Sequence, residues 1–283
     1  MNSLSGCLLI NKKVGVTSRF EVNEVSHRLH EKKCGHIGTL DPFASGLLII
    51  LVGKATKISP FLERHNKTYI ASLKLGQKTD TGDLTGNVIE EKDVPNLTKE
   101  EIEKVLSSFL GDSKQIPPMY SALKKDGKPL YEYARKGEEI ERKPRDITIF
   151  DIKFISFNKD VVTFAAKVSK GTYIRTLGED IAVKLGTVGH LVELERTMID
   201  NFSVKDAIPS EEADPSKLIS IEDMLKDFPS ITLSGKDAFK ALNGVALPLQ
   251  SKEKELLIKD ENGIIAIYKR SETGIYTCLR GLR

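Results

Sequence analysis

The chain has 283 residues, 40% hydrophobic and 29% charged, with a formal net charge of +3, enough for one large and one small domain but too weakly basic to argue by itself for a nucleic-acid partner. Three scattered cysteines, Cys7, Cys34 and Cys278, exclude a disulfide framework and fit a reducing compartment. No apolar run reaches membrane-spanning length and the amino terminus lacks a secretory pattern, so a cytoplasmic protein without a membrane partner is expected.

The first predicted strand is Cys7 to Ile10. A loop from Asn11 to Ser18 ends at a helix cap, after which Phe20, Val22, Val25 and Leu29 recur at helical spacing. The helix delivers the chain to Cys34 and the stretch CGHIGTLDPFASGLLIILVGKATK. At its centre Pro42 biases Asp41 towards extended backbone, while Gly35, Gly38 and Gly46 permit sharp turns. Leu47 to Val52 reads as a strand buried on both faces. On the residues alone, Asp41 is either a turn residue or a reactive carboxylate on a stiff bend. Cys34, two residues before His36, reads as a small half-buried thiol.

Lys54 to Leu62 is predicted as a short helix and Lys67 to Gly76 as a strand, in which Tyr69 is by position a packing residue. Gln77 to Gly86 is polar and turn-rich. Its Asp80 and Asp83 lack the further oxygen ligands of a metal loop and read as surface residues bonding their own backbone. Thr98 to Glu101 forms a capping box for a helix through Ile102, Val105, Leu106 and Phe109, stopped by Gly111.

Between Tyr120 and Arg145, eight Lys or Arg stand against five Asp or Glu, so the whole positive excess of the chain lies there. Lys124, Lys128 and Arg135, interleaved with Tyr120, Tyr131 and Tyr133, suit either a solvated face or phosphate neutralisation with base contact. Ile147 to Phe157 and Val161 to Val168 alternate as paired strands. They lead to KGTYIRTL, Lys170 to Leu177, at the entrance of a helix running to about Leu185, where Arg175 reads as a surface residue or a phosphate contact. In Gly189 to Thr197, His190 is read as structural. Ala207 to Pro229 is read as a linker, and a helix from Lys236 to Leu242 with strands near Leu256 to Lys259, Ile264 to Arg270 and Ile275 to Leu279 as a small β-rich module.

GHIGTLDPFASGLL followed by GKATK resembles the motif around the catalytic aspartate of the pseudouridine synthase B family, whose members isomerise a uridine in the T loop of transfer RNA. KGTYIRTL resembles a second family motif, and Lys67 with Tyr69 a lysine-x-tyrosine pattern. Lys12 to Ser18 resembles the family's opening, with Lys13 where proline is usual. Gly189 to Thr197 resembles a third motif, with Glu195 in place of an arginine and, beyond it, Asp200 in place of a glycine. The resemblance covers roughly Leu8 to Phe202.

It implies an α+β fold, a mixed, largely antiparallel sheet with flanking helices. A catalytic domain would span 1–229, with an RNA-clasping insertion at about 115–146 partly disordered without RNA, and a PUA-like RNA-binding domain 230–283. It implies that Asp41 starts the reaction, as nucleophile or as base, and that Arg175 pairs with it and holds it ionised. Tyr69 would stack on the flipped uracil, Tyr173 and Leu194 would line the pocket, and His36, Lys124, Lys128 and Arg135 would contact RNA. The implied partner is the T arm of transfer RNA, with no obligate protein partner, a monomeric state, no metal and no cofactor. The absence of Walker, Rossmann, HExxH and Cys/His-cluster patterns points the same way. Two other readings stay open: an RNA-binding protein without catalysis, and a nucleic-acid glycosylase.

Overall fold

The computed structural model describes residues 4–283. Strand β1 (Gly6–Lys12) is followed by helix α1 (Ser18–Arg28), capped by Thr17, whose side chain accepts from the Phe20 N–H. Val22, Val25 and Leu29 are buried as their spacing predicts, but Phe20 is 53% exposed, so the apolar stripe is one residue narrower. Strands β2 (Cys34–Ile37) and β3 (Ser45–Val52) flank the bend that carries Asp41. The uninterrupted apolar run of β3 has a direct cause in packing: Leu47, Ile49 and Leu51 enter one hydrophobic cluster while Leu48, Ile50 and Val52 enter another on the opposite face.

A 3-10 turn, Gly53–Ile58, and the short α2 (Ser59–Leu62) take the place of the single helix expected there. Then follow β4 (Lys67–Leu75), the hairpin β5 (Gln77–Thr79) and β6 (Val88–Glu91), and α3 (Lys99–Ser107), which opens on the Thr98–Glu101 capping box. The expected surface loop at Gln77 to Gly86 is therefore partly a strand, and its tip is tucked inwards: Asp83 is 5% exposed. Gly111, at φ +96°, opens strand β7 (Gly111–Gln115) after the helix has already ended.

The basic stretch forms a two-residue-strand hairpin, β8 (Lys124–Lys125) and β9 (Lys128–Pro129), and a short α4 (Leu130–Ala134). β10 (Arg145–Asn158) and β11 (Val161–Val168) pair as predicted, α5 (Ile174–Lys184) follows, and the third motif is a long strand, β12 (Gly189–Ile199), trailed by β13 (Phe202–Ser203).

The main sheet runs β1-β3-β12-β4-β11-β10-β7, with β2 on β3 and β13 on β12. Every pairing is antiparallel except β3 with β12, which gives the mixed, largely antiparallel α+β architecture. The parallel contact is short, only Glu195↔Ser45 and Arg196↔Gly46, because β2 takes over the same edge of β3 from Ile49 onwards. The bend 38–44 fills the fork between β2 and β12. Gly46 is required there, since a Cβ would lie 2.4 Å from the Arg196 carbonyl oxygen.

Residues 207–229 are not a linker. Ile208 and Ile219 exchange backbone hydrogen bonds with β1, and α6 (Ile221–Met224) buries Met224 together with the following Leu225. The segment covers the free edge of the sheet, which is why its apolar residues sit between polar and proline positions. A second sheet, β14 (Ser230–Thr232), β15 (Glu255–Asp260), β16 (Gly263–Arg270) and β17 (Tyr276–Gly281), carries α7 (Gly235–Leu242) over a core of its own. β14 was not legible in sequence. Leu257, Ile267 and Leu282 of this unit join the cluster fed by β3, and Arg64 with Glu255 ties the two sheets at the surface.

Candidate active site

Asp41 sits on a bend whose polar groups are almost all engaged. The Pro42 carbonyl accepts from the Gly15 N–H at 2.8 Å and from Lys12 Nζ at 3.3 Å, and Lys12 Nζ also donates to Ala44 O at 2.6 Å. Ser18 Oγ both donates to Leu40 O and accepts from its N–H. Arg196 Nη2 donates to Gly38 O and its Nε to Leu47 O, each at 2.8 Å. The stiffness that proline and glycine suggested is therefore supplied mostly by two buried cations. Lys12 and Arg196 are 0% and 1% exposed, and burial pushes the Lys12 ammonium down to about 8.

Arg175, at the start of α5 and 3% exposed, is the hub of the site. Its Nε lies 2.8 Å from Asp41 Oδ2 and its Nη2 3.1 Å from Oδ1, a two-pronged pairing. The rest of the guanidinium is held by Thr81 O at 2.8 Å and Tyr120 O at 2.7 Å, with Asp83 Oδ2 at 3.7 Å. Asp83 itself is fixed by Thr81 Oγ1 and by the N–H and hydroxyl of Thr85. Burial pushes the Asp41 carboxyl above the ordinary carboxylate range; Arg175 opposes the rise and Asp83 adds to it. The net direction is upward because burial is the largest influence, while Arg175 acts downward as its pairing implies.

A cleft of about 880 Å³ opens above this pair. Asp41, Tyr69, Arg175, His36, Tyr173 and Leu194 all line it, brought there from β4, α5, β2, β12 and two connecting segments. Tyr69 and Leu194 are 9% and 7% exposed and give the cleft an apolar wall beside the carboxylate. Tyr173 is anchored through its backbone, whose N–H and C=O are both bonded to the Gln115 side-chain amide. His36 Nε2 lies 3.1 Å from Thr39 Oγ1, and burial first, then Arg196 and Arg19, lower its pKa. Cys34 bonds Glu31 O rather than His36, and burial raises its thiol, so it has no nucleophile's setting. His190, whose Nδ1 is 2.7 Å from Gln77 O, is a structural histidine.

Lys124, Lys128 and Arg135 stand elsewhere. They are exposed on the β8–β9 hairpin and the end of α4; of the 115–146 insertion, only Ser121, Ala122 and Leu123 near its start and Arg145 and Asp146 at its end reach the cleft lining. Glu195 points away from the cleft: a bulge at Val192 puts Leu194 and Arg196 on the cleft face with Ala71 and Tyr69, and Glu195 on the other with Ile70. Sequence reasoning missed Lys12, Arg196, Lys67 and Asp83 as parts of the site. A lysine ending an apolar strand was the one available signal for Lys12; the others depend on contacts far apart in the chain.

Six cations, Arg64, Lys67, Arg145, Lys170, Arg175 and Arg196, line the cleft against Asp41, Glu63 and Asp146. Among the described residues no helix is long and apolar enough to cross a membrane, and no three His, Cys, Asp or Glu are grouped to hold a metal ion.

Residues 26–174 match the TruB family pseudouridylate synthase (N terminal domain). A tRNA pseudouridine synthase B of Hydrogenovibrio crunogenus is 48% identical over 90% of this chain and 85% of its own length. The tRNA pseudouridine synthase B of Geotalea uraniireducens is 38% identical over 99% and 96%. Among solved structures, a Cbf5-Nop10-Gar1 complex has a chain that superposes with a TM-score of 0.75 over 98% of this chain and 85% of that one, at 23% identity, a likeness of fold. With its family motif matched over more than half its length and close relatives aligned along nearly all of it, the chain belongs to the TruB family of pseudouridylate synthases.

Proposed function

We propose that this protein converts a uridine of transfer RNA, in the T loop, to pseudouridine without a cofactor, acting as a monomer in the cytosol. The carrying observation is the two-pronged Asp41–Arg175 pair at the floor of a cationic cleft, walled on one side by Tyr69 and Leu194. The relatives' names supply the substrate. The reaction breaks the N1–C1′ bond of the nucleoside and remakes it from C5, whose proton is lost while N1 gains one. Asp41 starts the cleavage, as a carboxylate at an anomeric carbon does in retaining glycosidases. Arg175 fixes its two oxygens. Tyr69 stacks on the uracil while it turns, Tyr173 and Leu194 close the pocket, and His36 meets the RNA from which the uridine has swung out. The apolar wall keeps water from the opened sugar, which separates an isomerase from a hydrolase.

In this reading residues 1–229 are the catalytic unit and 115–146 an RNA-clasping insertion, whose cations Lys124, Lys128 and Arg135 meet backbone outside the cleft. Residues 230–283 form a PUA-like RNA-binding unit. The test is to incubate unmodified transfer RNA with wild type and Asp41→Ala and map both pseudouridine and free uracil. Pseudouridine in the T loop with wild type, and a drop of at least about 10³-fold with the variant, is expected. Equal modification by both proteins would remove Asp41 from the mechanism, free uracil would identify a glycosylase, and binding without either product a non-catalytic RNA binder.

A further inference from the structure

Two buried cations in the cleft have donors left over and no acidic partner. Lys67, 7% exposed at the start of β4, donates from Nζ to Glu63 O at 2.9 Å and His65 O at 2.5 Å. An ammonium has three N–H groups, so one remains. Arg196 uses Nε and Nη2 on Leu47 O and Gly38 O, while its Nη1 has no acceptor among the described residues. Neither side chain has a carboxylate within 4.0 Å among the described residues.

The two converge on one spot. A Cβ built on Gly38 would stand 3.1 Å from Arg196 Nη1 and 3.8 Å from Lys67 Cε, so the bare glycine leaves both cations uncovered towards the cleft. Holding carbonyls needs donors but not two like charges side by side, and unpaired buried charges are costly unless a counter-charge arrives. The cost is visible in Lys67, whose ammonium is pushed down to about 8 by burial and then by Arg196, with Glu63 opposing the fall from beyond ion-pair distance and Lys170 adding to it. His36, two residues before Gly38, lines the same side of the cleft and brings no negative charge.

We propose that Lys67 and Arg196, beside Gly38, form the seat of one backbone phosphodiester of the bound RNA, adjacent to the nucleotide whose base enters the Asp41 pocket. The ligand class rests on the functional reading above; the seat rests on the two unpaired cations. Lys67 Nζ and Arg196 Nη1 supply one donor each to the two non-bridging oxygens, an arrangement that fixes where the sugar lies relative to Asp41, which is on the same 38–44 bend.

The experiment uses the full-length protein and T-arm stem-loop RNAs in which single phosphates are replaced by uncharged methylphosphonate. In wild type, one linkage adjacent to the target uridine is expected to weaken binding by about tenfold when neutralised. Lys67→Met should bind the all-phosphate RNA about tenfold more weakly and be indifferent to that linkage, with the salt slope of log affinity smaller by roughly 0.7. Lys67→Arg, which keeps a cation, should retain the sensitivity. A wild-type scan with no sensitive linkage beside the target overturns the proposal, whatever the variants' stability. So does a folded Lys67→Met that keeps the wild-type sensitivity. Pseudouridine is read in the same tubes: its absence with wild type would remove the functional reading, while the binding scan still decides whether a phosphate sits at Lys67.

Discussion

The floor of the cleft and the segment between β7 and β10 are both rich in lysine and arginine, and they use them in opposite ways. On the floor and in the bend beneath it, Lys12, Lys67, Arg175 and Arg196 are buried, and each donates to at least two backbone carbonyls. In the 116–144 segment Lys124, Lys125, Lys128 and Arg135 are exposed, their nearest organised contact being Arg135 over the Tyr131 ring at 5.4 Å. A buried cation fixes geometry and its loss is felt in the chemistry or the fold; an exposed one is screened and is felt in encounter and affinity. The two regions meet where Ser121, Ala122 and Leu123 line the cleft and the Tyr120 carbonyl accepts from Arg175, so the segment's base is tied to the pair it overhangs.

The largest effect expected from breaking the floor, after loss of Asp41 itself, is that of Arg175→Ala. Without the fork, Asp41, Thr81 O and Tyr120 O lose their common partner, and misplacing the carboxylate by about 1 Å costs roughly 10² in rate. The pH profile gives a separate sign. In the proposed reaction Asp41 acts as the carboxylate; burial raises its carboxyl, and Arg175 pulls it down. Removing the cation lets the carboxyl rise further, so the acid limb of the rate profile moves to higher pH. Arg175→Lys, which keeps a charge without the fork, should restore part of the limb and little of the rate. An unmoved limb in Arg175→Ala would show that the pair is not what sets the ionisation of Asp41.

Lys12→Met tests the clamp rather than the chemistry. It leaves Pro42 O and Ala44 O without their ammonium, at about 1–3 kcal/mol for each unsatisfied buried group, less whatever is regained by not burying a charge. The pH dependence sharpens this. The folded lysine titrates at about 8, against 10.5 for its ordinary value, so above pH 8 the unfolded chain holds a proton that the folded chain has released. Stability from this source is present at high pH and is lost as pH falls through 8. Wild-type unfolding free energy should therefore climb between pH 8 and 9, and Lys12→Met should flatten that climb by up to about 1.4 kcal/mol per pH unit. Denaturant melts at the two pH values read it directly.

On the other side of the comparison, Lys124→Ala, Lys128→Ala and Arg135→Ala combined should leave kcat and melting temperature nearly unchanged. KM for transfer RNA should rise several-fold and the salt slope should fall, by roughly 0.7–0.9 for each phosphate that no longer meets a cation. A fall in kcat instead would mean that the segment, through Tyr120 O, transmits its position to Arg175.

Much of the fold is readable from sequence because its signals are local. The all-apolar β3, the capping box at Thr98 and the alternation of β10 and β11 each declare themselves within a few residues. The pairing of Asp41 with Arg175 was expected from two motifs set side by side, not from spacing. What stayed hidden is non-local. Arg196 reaches Gly38 across 158 positions, Asp83 is buried only because its hairpin folds back on β12, and residues 207–229 look polar until β1 supplies their partners. The net upward direction for Asp41 is non-local in the same way, since how much solvent a bend loses depends on everything packed around it.

The smallest effects are expected where the chain departs from its family's pattern. Asp200 occupies φ +50°, a left-handed conformation that favours glycine, and its N–H donates to Asn66 O. Asp200→Gly relieves about 1 kcal/mol of backbone cost, gives back about 0.5–1 kcal/mol through the more flexible unfolded chain, and removes a carboxylate 3.8 Å from His65. The melting point should therefore hardly move. Glu195→Arg changes a side chain on the sheet face opposite the cleft, so neither kcat nor the binding scan should respond to it. These two substitutions ask whether the cleft face alone carries function. If Glu195→Arg raised RNA affinity by more than a few-fold, the opposite face of β12 would also meet RNA, and the division of labour between buried and exposed cations would need a third surface.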